Sequence, residues 1–161
     1  MTGMSKLKSM SKLKTTEKEI LEIIEGYNTL PNDFNDINRL LNAQKKLSVL
    51  SVRYAVEVAT YKKRAEEMNF VRKYKFAKSV EKHIADGVKS VARAENMARL
   101  DVYEEEKDEI TSKAIFDGMK IFLNQVNEVL DGLRQKISFL KQEKSLSNFV
   151  SNEGMDNRVE G

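Results

Sequence analysis

The stretch Ile115-Phe-Asp-Gly-Met119-Lys-Ile-Phe122-Leu-Asn-Gln-Val126-Asn-Glu-Val129-Leu-Asp-Gly-Leu133-Arg-Gln-Lys-Ile137-Ser-Phe-Leu140 decides the fold class. Its apolar residues 115, 119, 122, 126, 129, 133, 137 and 140 step by 4, 3, 4, 3, 4, 4, 3. That interval belongs to a helix burying one stripe against a neighbouring helix. The doubled step of four makes an eleven-residue element, which relaxes a supercoil locally. The stripe crosses Gly118 and Gly132 without losing phase, so the helix is read through both. The two glycines lie two heptads apart and would suit close approach by another helix.

A second stripe precedes it. Leu47, Tyr54, Val58, Tyr61, Ala65 and Met68 recur at helical spacing, with Leu50 alongside. The segment that carries them, residues 33–86, has no stop signal before Asp86-Gly87 and would run about 75–80 Å as one helix. Thr16 with Glu19 three positions on reads as a capping box for a short helix, 16–27, with Ile20, Leu21, Ile23 and Ile24 on it. Gly26 and the run up to Pro31 end that helix, and Asn32 or Asp33 caps the next. The third helix spans 90–144. Residues 1–14, with the repeat Met-Ser-Lys-Leu-Lys at 4–8 and 10–14, read as a flexible basic arm, and 145–161 as a flexible polar tail. The expected fold is therefore all-α: one domain over 15–144, an elongated antiparallel hairpin with a short N-terminal helix. Tyr54 and Tyr61 on one arm, and Met119, Phe122, Val126, Leu133, Ile137 and Leu140 on the other, form the core and oligomer stripe.

Composition agrees. In 161 residues, charged residues make up 33%, aromatics 7%, and there are one Pro, no Trp and no Cys. That is too few turn formers for an all-β chain, and it removes disulfides, thiol nucleophiles and thiolate metal sites. No apolar run approaches the roughly 20 residues of a membrane span, and no signal-peptide core follows the N-terminal lysines. The expectation is a cytoplasmic protein with no membrane contact.

The formal charge of +3 conceals an asymmetry. Residues 1–90 hold 18 basic and 11 acidic side chains, and residues 91–161 hold 10 and 14. The halves attract each other, or the first meets an external polyanion. If Asp86-Gly87 is the hairpin tip, facing residue numbers sum to about 173. Leu47 then meets Val126, Leu40 meets Leu133, and Arg64 stands level with Glu109, inside the acidic run Glu104-Glu-Glu-Lys-Asp-Glu109.

Little of this supports catalysis. His83 is the only histidine, which leaves no familiar zinc site and no Ser-His-Asp triad. Adjacent carboxylates on a helix diverge instead of converging on one substrate. Gly118-Met119-Lys120 lacks the upstream Gly and the Ser/Thr of a phosphate loop. No enzyme, metal or cofactor is expected.

The segment Lys62 to Lys82 stands out. Lys62, Lys63, Arg64, Arg72, Lys73, Lys75, Lys78 and Lys82 face only Glu66, Glu67 and Glu81, a local +5, and Phe70, Tyr74 and Phe76 are interleaved. Cations that follow phosphates and rings that stack on bases are the requirements of a single-stranded nucleic-acid site. A second reading makes Phe70, Tyr74 and Ala77 core, and the cations a partner for Glu104–Glu109. The chain would then be a structural or scaffolding coiled coil, of viral type, acting only through protein contacts. A third makes it an inhibitor that captures a host protein through its charged surfaces.

The segment Lys62–Lys78, the link Ala92-Arg-Ala-Glu-Asn-Met-Ala98 and the terminal Ile137-Ser-Phe-Leu-Lys-Gln-Glu143 together resemble the recombination mediator (UvsY-like) proteins of large tailed phages. The resemblance covers roughly residues 45–144. It implies a homo-oligomer, held by the C-terminal stripe, that binds single-stranded DNA and helps load a recombinase onto strands coated by single-strand binding protein. Lys62, Lys63, Arg64, Arg72, Lys73 and Lys75 would track phosphates, Tyr74 and Phe76 would stack, and Lys78 completes the expected nucleic-acid site. The chain differs from that pattern in its N-terminal helix, its lysine arm and its long acidic run.

Overall fold

The computed structural model describes residues 3–28 and 37–156, with side chains over 13–26 and 37–146. Among the described residues there are four helices and no strand: α1 (Gly3–Asn28), α2 (Ile37–Ala85), α3 (Val91–Asp101) and α4 (Tyr103–Asp156). The fold is all-α, as the two stripes require. The caps expected at Asn32 or Asp33, the Pro31 stop and residues 157–161 lie outside the described residues.

Contacts divide the chain into two units. The first holds residues 1–54 and 123–161, so α1, the start of α2 and the second half of α4. Its core is built from Leu13, Thr16 and Ile20; Leu40, Leu47, Leu50 and Tyr54; and Val126, Leu130, Leu133, Ile137 and Leu140, all buried. Polar bonds also tie the helices. The Tyr54 hydroxyl donates to Glu17 Oε1 on α1 at 2.6 Å, giving a fully buried phenol its partner. Ser51 Oγ donates to Asn127 Oδ1 at 3.1 Å.

The second unit, residues 55–122, is a helical hairpin. Val58 and Tyr61 of α2 are buried, as are Ala94 and Ala98 of α3, Val102, and Ser112 and Met119 of α4. Ala94 and Ala98 sit one turn apart and are wholly buried, so at these two positions α3 meets its neighbours with methyl groups and can pack closely. The tip is where Asp86-Gly87 placed it. Gly87 has φ 94°, its N–H reaches Ile84 O at 3.1 Å, and the Val88 N–H reaches His83 O at 3.1 Å. This pair of bonds is a Schellman closure, which favours glycine because L side chains rarely adopt that φ. Ser90 caps the return helix by accepting from the Arg93 N–H at 3.4 Å.

Several sequence expectations need correction. Helix α1 begins at Gly3 instead of Thr16, so the basic arm lies within the helix, and Thr16 is buried in its interior instead of capping it. No Gly or Pro separates Gly3 from Gly26, and nothing in that run stops a helix. The expected third helix is divided at Val102 (φ −105°, ψ 15°), and its second part continues through the expected tail to Asp156. Hydrogen bonding bridges the division: the Val102 N–H reaches Ala98 O, and the Glu106 N–H reaches Val102 O. Neither Gly nor Pro marks it.

The register also shifts. Asn69 pairs with Glu109, Lys75 with Glu105 and Ser79 with Asp101, giving sums of 178, 180 and 180 instead of 173. The turn takes up residues 86–90, so its midpoint is 88 and the sum rises by three. The remaining difference is two to four residues, about half a turn to one turn. In the first unit, Ser51 with Asn127 gives the same 178, which brings Leu47 level with residue 131 instead of Val126, and Leu40 with residue 138 instead of Leu133.

Gly118 and Gly132 do not mark close approach. Both are helical, and a Cβ built on either meets nothing within 4 Å. Gly118→Ala with Gly132→Ala should therefore raise stability by about 2 kcal/mol, one per site, or roughly 4–8 °C in Tm for a chain of this size. Thermal unfolding followed by circular dichroism checks this.

Candidate nucleic-acid interface

The basic, ring-bearing segment of α2 is divided between two faces of the helix. Counting helical steps from buried Tyr61, the inward face passes through Ala65, Met68, Arg72, Ser79 and His83. The outward face carries Lys63, Phe70, Tyr74 and Lys78.

On the inward face, cations and amides meet carboxylates of the returning chain. Glu109 accepts from both Asn69 Nδ2 and Arg72 Nε. Glu105 accepts from Lys75 Nζ. Asp101 accepts from Ser79 Oγ and lies 2.7 Å from His83 Nε2. The donated bonds move these carboxyls. Glu109 is held below the usual carboxylate range, chiefly by Asn69 and then Arg72, against the opposing effect of partial burial. Glu105 is lowered by Lys75 and a backbone bond, and Asp101 by Ser79 and then His83. Of the sequence-expected site residues, Arg72 and Lys75 therefore fasten the hairpin. Phe76 is half-buried and lines, with Arg72, Arg99, Val102 and Glu106, a cleft of about 390 Å³.

His83, Asp101 and Ser79 are not a catalytic triad. The carboxylate sits between the other two, so the hydroxyl donates to Asp101 and the imidazole is not placed to take its proton.

Carboxyls with depressed folded pKa values bind fewer protons folded than unfolded, so stability is full above their unfolded values, about 4, and is lost as pH falls through the folded ones. Urea midpoints for the chain should be level between about pH 5 and 7 and decline below about pH 4. Glu109→Gln should flatten that decline.

The outward face differs in kind. Phe70 is 70% exposed and Tyr74 52%, so neither ring is core. Their centroids are 6.4 Å apart with 10° between planes, and Lys78 Nζ stands 4.9 Å from the Tyr74 centroid. Hydrogen bonding and charge interaction with Tyr74 raise the Lys78 ammonium above its ordinary value. Lys62 and Lys63 make extended intrahelical contacts of 3.9 Å with Glu66 and Glu67, and such exposed pairs are worth only about 0.3–0.5 kcal/mol. Arg64 is half-buried. Lys73 and Lys82 are exposed, and no carboxylate lies within ion-pair distance of either among the described residues.

Of the sequence-expected residues, the structure thus brings Lys63, Lys73, Tyr74 and Lys78 to the open side and adds Phe70. Arg72 and Lys75 are turned the other way. The expected stripe of Tyr54, Tyr61, Met119, Val126, Leu133, Ile137 and Leu140 is buried within the chain, with Phe122 half-buried. It therefore makes intramolecular core and is not a surface on offer to another copy.

Among the described residues no group of three or more His, Cys, Asp or Glu side chains is arranged to hold a metal ion, and no helix is long and apolar enough to cross a membrane. No protein-family model, curated protein or solved structure matches the chain.

Proposed function

We propose that this protein is a non-enzymatic helical oligomer that binds single-stranded nucleic acid along the outward face of α2. In keeping with the resemblance to phage recombination mediators, it would assist DNA recombination or replication in the host cytoplasm, with a recombinase or a single-strand binding protein as partner. The observation that carries this reading is the exposed Phe70–Tyr74 pair, nearly parallel and flanked by Lys78, with Lys73 alongside. Rings held out in water cost solubility and add only a few tenths of a kcal/mol, roughly, to their own helix. Presented beside ammonium groups, they offer unpaired bases a π surface and phosphates a counter-charge.

The test is Lys73→Gln with Lys78→Gln, followed by fluorescence anisotropy with a labelled single-stranded oligonucleotide. Each removed phosphate contact should lessen the salt slope by about 0.7, so the pair by about 1.4. Unchanged affinity and slope would rule the face out.

A scaffold that acts only through protein contacts is the second reading. It is favoured by Arg72 and Lys75 meeting Glu109 and Glu105, since part of the basic segment is already neutralised. It predicts no salt-sensitive binding of nucleic acid by the wild type or by the double variant.

A further inference from the structure

The first half of α4 presents a second stripe, on the side away from buried Ser112 and Met119. Tyr103, Lys107, Ile110, Ala114, Asp117 and Ile121 follow one another by 4, 3, 4, 3, 4 and all are exposed, with Tyr103 at 62%, Ile110 at 63% and Ile121 at 59%. Scattered exposed apolar residues are ordinary. Three large ones held in a single heptad phase through five turns are not scattered.

We infer that this face is where a second copy of the chain docks, antiparallel, about a two-fold axis near residue 112. The face is complementary to itself. A two-fold pairing requires that if one residue meets another, the second meets the first across the axis. Reversing the stripe on itself sets Tyr103 against Ile121 of the second copy, Lys107 against its Asp117 and Ile110 against its Ala114, each layer occurring twice. The charged layer pairs opposite signs, and the central layers pair a large side chain with a small one, as knobs and holes require. At the flank, Glu104 comes level with Lys120. Any other antiparallel offset in the same phase sets Lys107 or Asp117 against an apolar side chain. Lys107 and Asp117 make no ion pair among the described residues, so their charges are open to an outside partner. The outward face of α2 is less suited to this role, because its Lys63 is already opposite Glu67 of its own helix.

Sedimentation velocity of the full chain across about 1–100 µM, with no nucleic acid present, tests the inference independently of strand binding. The wild type should associate to a dimer. Lys107→Glu or Asp117→Lys alone should weaken the dimer at least about tenfold, since each sets like charges together across the axis. The double exchange should restore it to within about threefold of wild type. Circular dichroism of each variant establishes that helicity is kept, and Ile110→Glu should dissociate the dimer whatever the charges do. A monomeric wild type, a dimer insensitive to both single exchanges, failure of the double exchange to restore it, or dissociation by Phe70→Glu instead would overturn the inference.

Discussion

Leu47→Ala should remove about 3–4 kcal/mol of stability, within the range for a fully buried leucine cut back to a methyl. Leu47 is 0% exposed and lies between Leu40 and Tyr54, one heptad away on either side. Both of those are buried as well, so the site has no flexible surface side chain that could swing in and fill the void. The loss combines the transfer free energy of the deleted carbons with the cavity they leave, and a close-packed three-helix unit collapses poorly around it. Set against a typical total of about 5–15 kcal/mol, this is a large fraction. Val49→Ala is the control. Two residues on, Val49 is 58% exposed, and replacing a β-branched residue with alanine in an exposed helix should leave stability unchanged or raise it by a few tenths of a kcal/mol. Urea unfolding followed at 222 nm measures both. Equal losses at the two positions would mean that α2 does not bury the face described.

Phe70→Ala combined with Tyr74→Ala should weaken single-strand binding by at least about 30-fold. Base stacking on an aromatic side chain is worth about 1–3 kcal/mol per base, so two rings supply about 2 kcal/mol at the lower limit, and tenfold in affinity is about 1.4. The same double variant should unfold at an unchanged or slightly higher urea concentration, because exposed rings contribute little to the folded state and alanine favours helix. Glu109→Gln should do the opposite. It removes the negative charge opposite Arg72 and Asn69, costing about 1–2 kcal/mol by analogy with other charge-assisted bonds, and leaves the rings and their lysine untouched. One variant losing affinity without stability, and the other stability without affinity, separates the two faces of α2. If both variants lose both properties together, the division of labour is wrong.

That division was only half legible in the sequence. The helical class followed from the steps of 4 and 3 between Ile115 and Leu140. The tip followed from Asp86-Gly87, since a Schellman closure favours glycine there. The meeting of basic and acidic segments followed from their placement on opposite sides of that tip. What apolar patterning could not show was which face of α2 stays inward beyond Met68. Up to that residue the buried face is apolar apart from Ser51. After it the same 4, 3 phase passes through Arg72, Ser79 and His83, because the partner there is a row of carboxylates instead of a row of leucines. By hydrophobicity alone, the phase moves to Phe70 and Tyr74. Counting on from Tyr61 would have placed Arg72 inside and Tyr74 outside, since helix phase persists where hydrophobicity lapses.

The register was hidden for a different reason. The number of residues a turn consumes sets the pairing sum, and centring the tip on Asp86-Gly87 leaves out Val88, Lys89 and the capping Ser90, which lie on the far side of the glycine. The division at Val102 was equally silent, as a buried valine reads like any other residue of a helix stripe.

The most direct test of the account is an anisotropy titration of the unaltered chain against a labelled thymidine oligonucleotide at several salt concentrations. Binding should be measurable at low salt, and log affinity should fall against log salt with a slope of about −2 to −3, as expected where three or four lysines each displace a counterion from a single strand. No binding at the lowest salt, or an affinity indifferent to salt, would contradict it.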